Sequence, residues 1–137
     1  MNTLAFLQYI FHDYWVVLFT MIFLHIVDDF KHQDILAEMK EKKWWEKLDG
    51  YSDYYRYDYI VALIVHSFSW TFVVMLPLLI LSSFEINWGL ALMFIIHAVT
   101  HSMTDDLKAN QRRINLVIDQ FVHLLQIFVM SLYFFYI

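Results

Sequence analysis

The sequence predicts an all-α integral membrane protein: a four-helix bundle with an interfacial helix between its first two spans. Three observations carry that class. Of 137 residues, 61% are hydrophobic and only 17% charged, with a mean hydropathy of +0.52, which leaves too little polar surface for a soluble domain of this size. Two glycines and one proline leave little room for a turn-rich β fold, and no stretch alternates with period two between turn signals. Four apolar stretches approach the roughly 20 helical residues that a hydrocarbon core requires. Residues 1–137 are read as one transmembrane domain.

The elements follow in chain order. The first span covers 14–30 and is preceded by an apolar segment, 4–11, set off by His12 and Asp13; that segment is either interfacial or an extension of the same helix. Its lack of Lys and Arg, with no small-residue cleavage site after it, argues against a signal peptide. The connection 31–58 mixes Glu and Lys with Trp44, Trp45 and a run of tyrosines, a pattern that predicts an amphipathic helix lying on headgroups. The second span covers 59–81, with Pro77 in its last turn expected to kink or end it. The third and fourth spans cover 86–104 and 114–137.

The basic residues fix the orientation. Lys31, Lys40, Lys42, Lys43, Lys47 and Arg56 lie in the first connection, and Lys108, Arg112 and Arg113 lie between spans three and four. The positive-inside rule therefore places both connections in the cytoplasm and both termini outside. A net charge of −5, with no basic block interleaved with aromatics, argues against nucleic acid as a partner. The absence of cysteine excludes disulfides and thiolate metal sites.

Against this topology the ionisable residues form a layer. Span one ends with His25, Asp28 and Asp29; span two carries His66; span three carries His97, His101, Asp105 and Asp106; span four begins with Asp119, Gln120 and His123. Alternating span direction puts all four groups at the cytoplasmic side. His25 and Asp29, His101 and Asp105, and Asp119 and His123 are each four apart, so each pair shares a helical face, the way helices present two ligands to one metal. The candidate metal ligands are His25, Asp29, His66, His101, Asp105, Asp119 and His123. Gln33, His97, Lys108 and Gln120 are candidates for orienting ligands or meeting substrate. Asp28 and Asp106 fall off the paired faces and are expected to be solvated or at helix ends, and His12, Asp13 and His32 to be interfacial.

An unpaired Asp near the centre of a transmembrane helix costs roughly 2.5–3.5 kcal/mol. No Lys or Arg lies within the spans, and Lys31 and Lys108 reach inward only from the ends. Divalent cations would offset several carboxylates at once, and N and O ligands alone favour Zn, Mn, Fe or Mg, as one ion or two.

The segment from His25 to Lys31 is similar to that from His101 to Lys108, allowing one insertion, and His66 is echoed by His123. Two helical hairpins related by a pseudo-two-fold axis along the membrane normal would result. The combination of His25, Asp29, Phe30 and Gln33, then His66, then His101, Asp105 and Lys108, then Asp119, Gln120 and His123 resembles a family of small bacterial and phage membrane proteins whose function is undefined. The resemblance spans nearly the whole chain. It favours His101 over His97 and Asp29 over Asp28 as site residues, and implies the bacterial inner membrane or that of a phage-infected host.

The leading expectation is a metal-dependent hydrolase acting on an amphipathic or lipid-linked substrate at the cytoplasmic leaflet. A cation or proton transporter would use the same residues, but the outer halves carry few polar groups to continue a path. A haem or quinone protein fits the carboxylate partners poorly. A regulatory membrane protein with a structural metal is the non-enzymatic alternative. The thin bundle is compatible with a homo-oligomer, although no small-xxx-small face argues for one.

Overall fold

Asp13 opens the first long helix. Its carboxylate accepts the backbone N–H groups of Trp15 and Val16 at 2.8 and 3.3 Å, an N-cap that fixes where the helix begins. In the computed structural model, which describes residues 2–31, 34–48, 50 and 52–136, α1 (Thr3–Ile10) and α2 (Tyr14–Phe30) meet at 101°. The N-terminal apolar segment is therefore a separate helix and not a straight extension of the first span. Gln33 and His32 lie outside the described residues.

The first connection is broken into α3 (Asp34–Met39), α4 (Lys42–Glu46) and a 3₁₀ turn, Asp53–Tyr55. It is not the single amphipathic helix that its composition predicts. Asn110 accounts for the break: its Oδ1 accepts the Lys42 N–H at 2.7 Å while its Nδ2 donates to the Lys40 carbonyl at 3.0 Å. Those bonds satisfy the backbone groups that the interrupted helix exposes. They also tie the connection to the end of a distant helix.

Three long helices complete the fold: α5 (Asp58–Leu81), α6 (Trp88–Ala109) and α7 (Leu116–Tyr136). Asn87 caps α6 through Leu90 N–H at 2.9 Å, and Asn115 caps α7 through Ile118 N–H at 3.0 Å. Pro77 does not end α5, which runs on to Leu81. Packing of α5 on α2 and α6, and of α7 on the same two, closes a ring of four long helices. All described secondary structure is helical.

The ring has two unlike ends. One is filled by Val17, Met21, Val74, Leu78, Leu90, Met93, Ile127 and Met130. The other buries His25, Asp28, His66, His101, Asp105, Asp119 and His123. Outward faces are apolar, with Phe19 and Phe23 on α2, Phe68 on α5, Ile95 and Val99 on α6, and Phe121 and Leu125 on α7 all exposed.

Asp53–Leu81 and Leu116–Tyr136 are each long and apolar enough to cross a membrane, and the bent α1–α2 pair would make a third crossing only if counted as one span. Two of the four expected spans thus meet the criterion alone. The polar residues explain the shortfall: α6 has 22 residues, but His97, His101, Asp105, Asp106 and Lys108 lower its hydropathy, and α2 is 17 residues long with Asp28 and Asp29 at its end.

Candidate metal centre

Helical spacing delivers the polar side chains inward. On α6, His101 and Asp105 are one turn apart and both buried; on α7, Asp119 and His123 repeat the arrangement; α2 adds Asp29 and α5 adds His66. Three overlapping sets place their ligand atoms within 4.8 Å of one another: Asp29, His66 and His101; His101, Asp105 and His123; and Asp29, Asp119 and His123. Such buried His/Asp groups can hold a metal ion.

The atom-level geometry sharpens this. His123 Nε2 stands 3.4 Å from Asp105 Oδ1 and 3.4 Å from Asp119 Oδ1. All three atoms are buried without a hydrogen-bond partner, as is His101 Nδ1. Orphaned polar atoms at such depth are costly, about 1–3 kcal/mol each, and more where they carry charge. The spacing is too long for good hydrogen bonds. Each separation alone is near that of two atoms bound to one ion, with Asp105 and Asp119 belonging to different ligand sets that share His123. Nearby, His66 Nε2 is 3.0 Å from His101 Nε2, 3.5 Å from Asp105 Oδ2 and 3.6 Å from Asp29 Oδ1.

A surrounding layer fixes how these groups point. Gln126 Nε2 donates to the His97 carbonyl at 3.1 Å, so its Oε1 is the atom facing His123 Nδ1 at 3.2 Å. His123 therefore carries a proton on Nδ1 and turns Nε2 toward the carboxylates. On the other side, Trp70 Nε1–H donates to His25 Nδ1 at 2.9 Å, and His25 Nε2 meets Gln120 Oε1 at 3.0 Å. An indole only donates, so His25 must donate from Nε2. Gln120 Nε2 then donates to Asp29 Oδ2 at 2.8 Å and Asp119 Oδ2 at 3.0 Å. The indole of Trp70 also stacks on His101, with centroids 4.1 Å apart.

His25, a candidate ligand in the sequence, thus has both ring nitrogens engaged and supports the ligands through Gln120. The structure brings the other six candidates together. Gln120 bonds Asp29 and Asp119, whereas His97 meets Gln126, one turn deeper, and not the cluster. Asp28 lies in the last turn of α2, one of its two expected settings, but is buried there and not solvated. Asp106 holds the end of α6 by accepting from Asn110 and Gln111 at 2.8 and 2.7 Å.

Two lysines correct the charge balance expected from the spans alone. Lys40 Nζ reaches Asp105 Oδ2 at 2.5 Å with its side chain only 7% exposed, and Lys108 Nζ reaches Asp119 Oδ2 at 2.6 Å. Three carboxylates against two ammonium groups leave one negative charge with all imidazoles neutral. Lys40 was invisible as a site residue because it lies in the connection, where spacing carries no information about the helix ends. Trp70 and Gln126 were legible in principle, four residues after His66 and three after His123.

No known family model, curated protein or solved structure matches this chain. Its chemistry is therefore read from its own geometry.

Proposed function

We propose that this chain is a four-helix membrane protein whose inner layer holds divalent metal, and that the centre hydrolyses an amphipathic or lipid-linked substrate at the cytoplasmic leaflet. The observation that carries the proposal is the convergence of three Asp and three His from four helices, with buried ligand atoms left unpartnered. The apolar outer faces support lipid as the surrounding solvent. The basic connections support a cytoplasmic position for the site.

The overlap of the ligand sets limits occupancy to two ions. His123 offers only Nε2, because Gln126 takes Nδ1, so the two sets containing His123 compete for it. Two ions would be held by Asp29, His66 and His101 and by Asp29, Asp119 and His123. Zn, Mn, Fe and Mg all accept N and O donors. Bound there, divalent cations would supply Lewis acidity and a water acidified toward neutral pH.

The protein's own groups do the rest. Lys40 and Lys108 hold the outer oxygens of Asp105 and Asp119, Gln120 and Gln126 hold the remaining orientations, and the unpartnered Oδ1 of Asp105 would be the acceptor for a proton from a bound water. A transport path is disfavoured because the apolar half of the ring is filled by large side chains, with Val17, Val74, Leu78 and Met130 fully buried.

Metal analysis of the detergent-purified protein tests the proposal. The expected result is up to two divalent ions per chain, with loss of metal in the double variant Asp119→Asn and His123→Ala. A well-folded protein that takes up neither Zn nor Mn would overturn it. Metal uptake with no Asp105-dependent hydrolysis of any membrane lipid fraction would leave a structural metal site and remove the enzyme.

A further inference from the structure

Asp105 lies in the wall of a cavity of about 330 Å³ whose other lining residues are Ala37, Lys40, Glu41, Lys108, Ala109 and Arg112. Three cations therefore line an opening that reaches the buried Asp105. Three further cavities among the described residues are lined mostly by apolar side chains. A volume near 330 Å³ is at the small end of ligand sites. It would admit a headgroup-sized ligand and not acyl chains.

Arg112 adds a second, independent observation. It sits just beyond α6 with φ +52°, a left-handed conformation that normally selects glycine. The turn is held by the Arg113 N–H on the Leu107 carbonyl at 2.9 Å. Unlike Lys40 and Lys108, Arg112 makes no ion pair among the described residues, so its guanidinium is available to a ligand. Guanidinium and two ammonium groups around one opening match the oxygens of a phosphate.

We propose that this cavity recognises a phosphate ester, and that the substrate class of the centre is an amphipathic phosphate monoester. The assignment rests on the metal reading above, because Asp105, Asp119 and Glu41 balance the three cations until divalent metal adds positive charge. Hydrolysis balances simply: the oxygen of water bonds to phosphorus as the P–O bond to the alcohol breaks, one water proton stays on the released phosphate and the other goes to the alcohol. Lys40, Lys108 and Arg112 face the phosphoryl oxygens, and Glu41 at the mouth disfavours anions that approach without metal.

The test uses the full chain in phosphatidylcholine nanodiscs loaded with Mn²⁺, and reads ³¹P relaxation of added inorganic phosphate, glycerol phosphate or dioctanoyl phosphatidate. Saturable, metal-dependent relaxation is expected. Binding of phosphatidate at least tenfold tighter than of the soluble compounds is expected and identifies a lipid headgroup, whereas equal binding overturns the amphipathic assignment in favour of a soluble ester. Arg112→Gly, which relieves the backbone strain and so should not impair folding, is expected to weaken binding five- to tenfold with metal content unchanged, and Arg112→Lys to restore part of it. Full metal content with no saturable phosphate binding, or with binding indifferent to Arg112→Gly, overturns this proposal alone. A folded protein that takes up neither metal nor phosphate overturns the metal reading and this proposal with it.

Discussion

Gln120→Leu removes three hydrogen bonds with one substitution of similar size. The amide accepts from His25 and donates to Asp29 and Asp119 at 3.0, 2.8 and 3.0 Å. Within a membrane such bonds average about 0.6 kcal/mol each, giving a loss near 2 kcal/mol; the aqueous scale of about 1–1.5 each would give about 3–4.5. The lower figure applies if the site lies among lipid-facing helices, because the unfolded chain in a bilayer finds other partners. Metal affinity should fall further than stability alone requires, by about 10–100-fold, since the outer oxygens of two ligands lose their orienting donors. Metal titration against a competing chelator reads the affinity, and reversible unfolding in mixed micelles reads the stability. A variant that binds metal within threefold of the parent would refute the role given to Gln120, because it would mean that Asp29 and Asp119 are oriented without it.

Two further outcomes follow from the lysine contacts and the docked connection. Lys40→Met leaves the three carboxylates with Lys108 as their one ammonium partner, so the protein in chelator should be less stable while its cation affinity rises. The gap between melting temperatures with and without Zn²⁺ should widen, a tenfold gain in affinity corresponding to about 1.4 kcal/mol at saturating metal; a narrower gap would mean that Lys40 aids metal binding. Asn110→Ala deletes the bonds to Lys42 and Lys40, and limited proteolysis within the first connection should accelerate about tenfold, as expected for ~1.4 kcal/mol of lost local stability.

The ligand layer was legible because helical spacing is a local property that the chain states directly. Pairs four residues apart share a face whatever the tertiary arrangement, and alternating helix direction brings the ends together. What spacing cannot state is which nitrogen of a histidine is already engaged. His25 and His101 occupy similar sequence contexts, each four residues before an aspartate, yet Trp70 takes the Nδ1 lone pair of His25 and leaves His101 Nδ1 without a partner. Lys40 was equally hidden. Its burial depends on a break in the connection made by Asn110, 70 residues away, and no periodicity within the connection encodes that contact. The hydropathy of α6 was weighed too generously for the opposite reason, since the polar residues that reveal the site are those that make the helix a poor span by composition.

The two hairpins that the repeated motif suggests are unequal in a way that bears on Trp70. Counting from the second-helix histidines, His66 is followed after four residues by Trp70, and His123 by Ile127; His123 is preceded by Asp119 and Gln120, and His66 by Ala62 and Leu63. The α6–α7 hairpin therefore supplies four of the six clustered candidate ligands, while the α2–α5 hairpin supplies Asp29, His66 and the Trp70–His25 support. That support is constrained from both ends. Reversing the His25 tautomer would require Gln120 to turn its carbonyl toward Asp29 and Asp119, setting oxygen against two carboxylates. Trp70→Phe should accordingly leave the Nε2 proton of His25 in place. Its effect should fall on packing, through a lost N–H···N bond of about 1 kcal/mol and a partly emptied indole site, with a ring retained against His101. The expected result is metal affinity within threefold of the parent, with the His25 ¹⁵N shifts still reporting an Nε2–H imidazole. A loss as large as that in Gln120→Leu would show that the indole, not the pair of carboxylates, sets the direction of the chain of hydrogen bonds.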